Sequence, residues 1–243
     1  MKFTIGWLKD HLETEASLEL IVEALNKIGL EVSYIKKFHE DLNKLKKVKI
    51  IKIEQHHNAD KLKICHVDDG NNIFKVVCGA PNVRQDMKAV YAPEGTYIPG
   101  VDIVIKKVEI RGVESNGMLC SEKELEISED HEGIIELPSS SEVGINPSKL
   151  IAVDDPIIEI EITPNRGDCL GVRGIARDLS SFGLGSLKNL NIEEGEGEFD
   201  STVKWKIDLP EEKKYLCPKI YGRTFKNIKN CVSPIWLKNR LTS

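Results

Sequence analysis

Between Lys47 and Ile110 the chain carries five short segments rich in valine and isoleucine: KVKIIKIEQ, LKICHVDD, IFKVVCG, KAVYAPEG and VDIVIKKVEI. Each is bounded by Gly, Pro, Asn or Asp, and most alternate apolar with polar residues. Alternation puts one face of a strand on a core and the other in water. β-Branched side chains are stiff at χ1 and favour that extended backbone. No long helix fits between the segments, so five strands at close spacing predict a small barrel or a sandwich. The pattern alone does not choose between those two.

The flanks follow a different period. Leu18, Ile21, Val22, Leu25 and Ile28 form one helical stripe, with Ser17 as N-cap and Gly29 after the last periodic residue. A short strand over Leu30–Ile35 follows. Beyond the five segments come an irregular stretch from Glu122 to Gly133 and a short strand over Ile134–Leu137. The loop Pro138–Pro147 has the composition of a domain exit. IIEIEI (Ile157–Ile162) predicts a strand, TPNRGD a turn, and CLGVRGIARDLSSF a helix capped by Asp168. Leu170, Ile175, Leu179 and Phe182 would face its core, and Arg173 and Arg177 would share a face. Gly183 and Gly185 end that helix, and NIEEGEGEFD reads as an acidic linker. From Thr202 a strand-like start leads into a basic tail, and SPIWLKNRLTS opens a new helix.

Of 243 residues, 40% are hydrophobic and 30% charged, enough for a real core. No apolar run reaches the roughly 20 residues that cross a bilayer, and the N-terminus lacks a signal-peptide core, so a cytoplasmic protein is expected. The six cysteines form no C-x-x-C pair and predict reduced, mostly buried thiols. His56 and His57 lack a third residue at metal spacing, so no metal is expected. The net charge of −5 argues against a uniformly basic nucleic-acid binder, but charge is segregated. Lys44–Lys63 carries +5, Glu122–Glu136 carries −6, and Lys213–Ser243 carries +8. Segregation can aim a basic face at phosphate, or it can reflect solvated faces alone.

Three constellations stand on turns between the segments. In QHHNADKLKICHVDDG a turn over Asn58–Asp60 presents Lys61 and Lys63. In VVCGAPNV a strand runs into Gly-Ala-Pro, placing Asn82 and then Arg84, with Lys88 beyond. In RGVESNGMLCSEKEL a tight turn offers Ser115 and Asn116, and Ser121 closes the rim. Cationic and amide side chains at such a mouth suit phosphate and splayed single-stranded bases. Lys61, Lys63, Asn82, Arg84, Lys88, Ser115, Asn116 and Ser121 are therefore the candidate RNA-binding residues. Aromatics are few there (Phe74, Tyr91, Tyr97), so base stacking should matter less than in other single-strand binders.

HNADKL, VVCGAPNV and SNGMLCSEKEL, in that order, resemble the tRNA-binding OB module. That module occurs on methionyl-tRNA synthetases, as free-standing tRNA-binding proteins, and inside the β subunit of bacterial phenylalanyl-tRNA synthetase. The flanks resemble the last of these: IGWLKDHLETEASLELIVEALNKIGLEV its start, EITPNRGDCLGVRGIARDL its signature after the module, and Tyr215–Leu241 the opening of its editing domain.

The resemblance implies an α+β, multi-domain chain with an OB-type β-barrel inserted into a small α/β domain and followed by the start of a further α+β, editing-like domain. Residues 1–38 and 152–190 would form the discontinuous α/β domain, 39–150 the OB-fold, 191–201 a linker and 202–243 the incomplete editing-like start. Family members are longer, so a truncated chain is expected. The partners implied are tRNA and the α subunit of an α2β2 tetramer, with ATP and Mg²⁺ used by the whole enzyme and no cofactor bound by this segment. No catalytic residue is expected here, and TPNRGD reads as structural, with Arg166 bridging to a neighbouring carboxylate or carbonyl. The alternatives are a free-standing tRNA-binding protein and a deacylase acting through the C-terminal segment.

Overall fold

The computed structural model describes residues 1–192 and 197–242. Its contacts divide the chain into two units: Met1–Lys188 together with the chain from Pro234, and Asn189–Ser233.

The first unit opens with β1 (Lys2–Thr4), α1 (Ile5–His11), β2 (Leu12–Glu13), α2 (Leu18–Lys27) and β3 (Val32–Lys36). Next come β4 (Lys46–Gln55), β5 (Lys63–Asp68), β6 (Ile73–Cys78) and β7 (Lys88–Ala92). Two hairpins follow, β8 (Tyr97–Ile98) with β9 (Ile103–Val104), and β10 (Val108–Ile110) with β11 (Val113–Ser115). The unit continues through β12 (Met118–Leu119), β13 (Glu136–Leu137), β14 (Ile157–Ile160), α3 (Val172–Ser181) and β15 (Ser186–Leu187), and ends in α4 (Ile235–Thr242). The fold is mixed α+β, with many short strands and few helices.

Strand β14 lies between β1 and β3 and pairs antiparallel with both. Under that sheet, Phe3, Leu8, Leu12, Ile21, Leu25 and Leu30 share a core with Ile158, Ile160, Ile175 and Leu179. Each such side chain, fully buried, contributes about 1.5–3 kcal/mol. Ser17 caps α2 by accepting from the Leu20 amide, and Gly29, at φ +81°, follows its C-cap. Leu170 and Phe182, expected in the core, are exposed. They flank α3, which covers only Val172–Ser181, so neither sits on its buried stripe.

The larger sheet runs β12–β7–β4–β5–β6, with β13 also on β7. The expected closed barrel is not formed, because the ladder stays open between β6 and β12. Two hydrogen bonds cross that gap: Asn116 N–H to Lys75 O at 2.8 Å, and Val77 N–H to Ser115 Oγ at 3.0 Å. The backbone that would complete a ladder, Val113–Ser115, pairs instead with Val108–Ile110. The expected fifth strand, VDIVIKKVEI, is therefore divided between two hairpins. Two clusters fill the sheet's interior, one around Val48, Ile50, Cys65, Val67, Val76 and Tyr91, the other around Leu42, Val90, Ile98, Cys120 and Leu125.

Asp168 does not cap α3; that position is Gly171. Asp168 is held instead by Arg166 at 3.1 Å and by Arg177, and both arginines also reach Asp178. Arg166 thus bridges carboxylates, as the turn suggested. Hydrogen bonding from Arg166 holds the Asp168 carboxyl well below the usual range. Burial works the other way on Asp178, but Arg166 and Arg177 outweigh it and its carboxyl is also lowered. A folded pKa below the unfolded one gives stability that is complete above about pH 4 and lost as pH falls through the folded values. The thermal midpoint should drop on acidification below about pH 4, and Asp178→Asn should flatten that acid arm. An unchanged acid profile in the variant would refute this account.

In the second unit, Glu211–Leu216 forms a 3-10 turn, Lys226 Nζ stands 4.0 Å from the Phe199 ring centre, and Ser201 and Thr224 share a hydrogen bond of 2.5 Å. The strand expected from Thr202 is not formed: the described residues there make no ladder. Part of the acidic linker, residues 193–196, lies outside the described residues, as does Ser243. Among the described residues no helix is long and apolar enough to cross a membrane.

Candidate nucleic-acid interface

The turn between β4 and β5 is built by Gln55, whose amide donates to the carbonyls of Ala59, Asp60 and Leu62 at 3.3, 2.9 and 3.2 Å. This one side chain holds the turn that carries Lys61. Leu62 lies beside Gly79, so Lys61 and Lys63 stand next to the turn after β6. Lys63 Nζ donates to Val83 O at 3.1 Å, tying the two turns together.

Behind the Gly79–Pro81 turn opens a cleft of about 510 Å³, within the roughly 300–1,000 Å³ range of small-ligand sites. Gly79, Ala80 and Pro81 form one wall, Met118 and Ser121 line another part, Lys123, Glu124 and His131 also line it, and Gly133 and Ile134 form a further part. Asn82 fixes the last part. Its amide donates to Ile134 O at 2.8 Å and accepts from Ile134 N–H at 3.0 Å.

The other candidates are also engaged. Arg84 pairs with Glu136. Lys88 donates to Ser139 O and Ser141 O at 2.5 and 2.6 Å. Ser115 is buried and its Oγ accepts from Val77 N–H. The Asn116 side-chain amide donates to Glu114 at 3.3 Å, while the Asn116 backbone carbonyl accepts from Tyr91 OH at 2.9 Å. Ser121 is buried, and its Oγ accepts from Glu124 N–H at 3.4 Å. Lys61, Lys63, Asn82 and Ser121 are gathered around one end of the sheet. Ser115 and Asn116 sit at the β6–β12 gap, and Lys88 pairs across from Lys49 and Leu137.

The lysine run is largely neutralised from within. Lys44 pairs with Asp41, Lys46 with buried Asp69 and Lys49 with Asp86, each at 2.7 Å, and Lys52 pairs with Glu54. Lys61 is exposed and forms no ion pair among the described residues. Phe74 and Tyr91 stack on each other at 5.5 Å, and Tyr97 donates to Asp102 at 2.8 Å, so these rings are spent on the fold. Cys65, Cys78, Cys120 and Cys169 are buried thiols, and burial pushes Cys65 up to about 12. Ligand-type atoms of Asp168, Cys169 and Asp178 lie within 4.8 Å of one another, but Arg166 and Arg177 already occupy those carboxylates.

Residues the motifs did not single out prove central to the rim. Gln55 and His56 shape the first turn, and Arg111 meets it from the β10–β11 hairpin. The signal for the hairpin was present: Arg-Gly stands between Val-Glu-Ile and Val-Glu-Ser, two triplets opening on Val-Glu, at the spacing of a two-residue turn.

Residues 45–146 match a family described as "Putative tRNA binding domain". Along its whole length the chain is 49% identical to a phenylalanine--tRNA ligase beta subunit of Paramagnetospirillum magneticum, and over 99% of its length 48% identical to one of Mesorhizobium japonicum. It spans about 30% of the length of each. Among solved structures, a MetRS related protein from Pyrococcus horikoshii is 24% identical, with 42% of this chain and 85% of that chain covered and a TM-score of 0.32. The chain belongs to the phenylalanine--tRNA ligase beta subunit family and contains a tRNA-binding domain.

Proposed function

We propose that the chain is part of the beta subunit of an ATP-dependent ligase that charges tRNA with phenylalanine, and that its role there is to hold tRNA. The observation that carries this reading is the match to ligase beta subunits along the whole chain, with the tRNA-binding segment inside it. On this reading residues 39–150 are an OB-type module inserted between 1–38 and 152–190, and 202–243 begin an editing-like domain. The whole enzyme works in the cytoplasm as an α2β2 tetramer with an alpha subunit.

ATP and Mg²⁺ then belong to the rest of the enzyme. The Asp168–Cys169–Asp178 group does not suit Mg²⁺, since its carboxylates are paired with two guanidinium groups and its third donor is a thiol. In the tRNA-holding step, Lys61 and Lys63 meet phosphate at the mouth. The cleft behind Gly79–Pro81 receives an unstacked base against Met118 and Ile134, with Asn82 keeping that wall in place.

Binding of a tRNA transcript to the full chain should weaken steeply as salt rises, because association releases counterions from phosphate. Lys61→Ala should reduce the slope of log Kd against log salt by about one. Affinity that is indifferent to salt would overturn the electrostatic account.

A further inference from the structure

The β10–β11 hairpin turns on Arg111 and Gly112, at φ of +50° and +89°. Left-handed backbone at both central positions is the type I′ turn, which favours Asn, Asp or Gly first. Arginine is a poor choice for that conformation, and a strained residue kept at an exposed tip points to a use other than folding.

The tip is not loose. His56 Nε2 lies 3.0 Å from Ile110 O, the Asn58 amide donates to Arg111 O at 3.2 Å, and Arg111 donates back to Asn58 O at 3.4 Å. Buried His56 also accepts from Asn58 N–H on Nδ1 at 3.1 Å, so its ring joins the hairpin to the turn from both nitrogens. The two loops form one rim on which His57, Lys61 and Arg111 are exposed. Arg111 spends one N–H on Asn58 and its side chain makes no other hydrogen bond or ion pair among the described residues, so the rest of its planar fork can meet a phosphate in two-point fashion.

We propose that Arg111 is a phosphate-contact residue of the RNA interface, held in register by Asn58 and His56, and that its ligand is the phosphodiester backbone of a looped or single-stranded RNA segment. This rests on the tRNA-holding reading above and adds to it a residue on a second loop.

The test uses Arg111→Asn and Arg111→Lys in the full chain, with a tRNA transcript as probe over roughly 50–200 mM salt and thermal unfolding in parallel. Arg111→Asn places a better residue in the turn, so its midpoint should hold or rise. Its affinity at low salt should fall about 3- to 10-fold, and its salt slope by about one. Arg111→Lys should keep the slope and lose part of the affinity. An Arg111→Asn variant with unchanged affinity and slope would overturn the proposal while leaving tRNA binding intact. A variant that loses stability together with affinity would assign Arg111 a purely structural role and also overturn it. If the unmodified chain shows no salt-dependent binding, the tRNA-holding reading fails and this proposal fails with it.

Discussion

Gly117→Ala should destabilise the tRNA-binding segment by about 2–4 kcal/mol and lower the urea midpoint of its unfolding. Gly117 has φ of +90°, a region L side chains rarely adopt. A Cβ there would fall 2.3 Å from the Tyr91 ring, 2.5 Å from its hydroxyl and 2.6 Å from Ala92 O. Tyr91 cannot retreat, because it is buried, stacks on Phe74 and donates to Asn116 O. Ala92 O is backbone of β7, where β12 pairs. The alanine therefore strains its own backbone and pushes β12 off the sheet. Urea unfolding of the variant beside the parent chain decides the matter; a midpoint within experimental error of the parent would show that the turn relaxes freely.

Asn82→Ala should cost about 2–3 kcal/mol, although the change removes only a small polar side chain. Both polar atoms of the Asn82 amide serve Ile134, one its N–H and the other its carbonyl. Without them two backbone groups beside the cleft lose their partners, and desolvation of unpaired groups is the larger part of the cost. The cleft wall at Gly133 and Ile134 should loosen, weakening tRNA binding with the salt slope unchanged, because no phosphate contact is lost. A variant of parental stability whose salt slope drops by about one would instead place Asn82 on phosphate.

These two positions show what the sequence conveys. Gly117 was legible as a turn residue, since Ser-Asn-Gly has few other uses. Asn82 was legible as a polar residue on a turn, and its bonds to Ile134 were not. Its partner lies 52 residues away, and nothing in a local pattern distinguishes an amide facing a ligand from one facing a distant backbone. The lysine run illustrates the same limit. Its charge is plain in the sequence, but two of the carboxylates that neutralise it, Asp69 and Asp86, come from turns distant in sequence. Periodicity found β4, β5 and β6 because valine and isoleucine recur there, whereas β7, with a single valine and no isoleucine, showed itself as a short apolar run bounded by turn residues. It failed at VDIVIKKVEI, where residues 105–107 lie outside any strand and Ile105 bonds back to Gly95 and Thr96. The Asp168 cap failed because Arg166 and Arg177 compete for that carboxylate more strongly than free amides do.

The pairing of β14 with β1 and β3 has a consequence for the order in which the chain acquires structure. Lys2 meets Glu159, and Lys36 meets Ile157. During synthesis at roughly 5–20 residues per second, β1 and β3 leave the ribosome long before the strand that joins them. Neither pairs with the other, so both wait with open edges while the intervening residues emerge and build their own sheet. Contacts so distant in sequence are slow to form because a long loop must first be closed. The middle strand of the first sheet is therefore its last to arrive, and the short lengths of β1 and β3, three and five residues, limit the exposed edge available to another chain in the meantime.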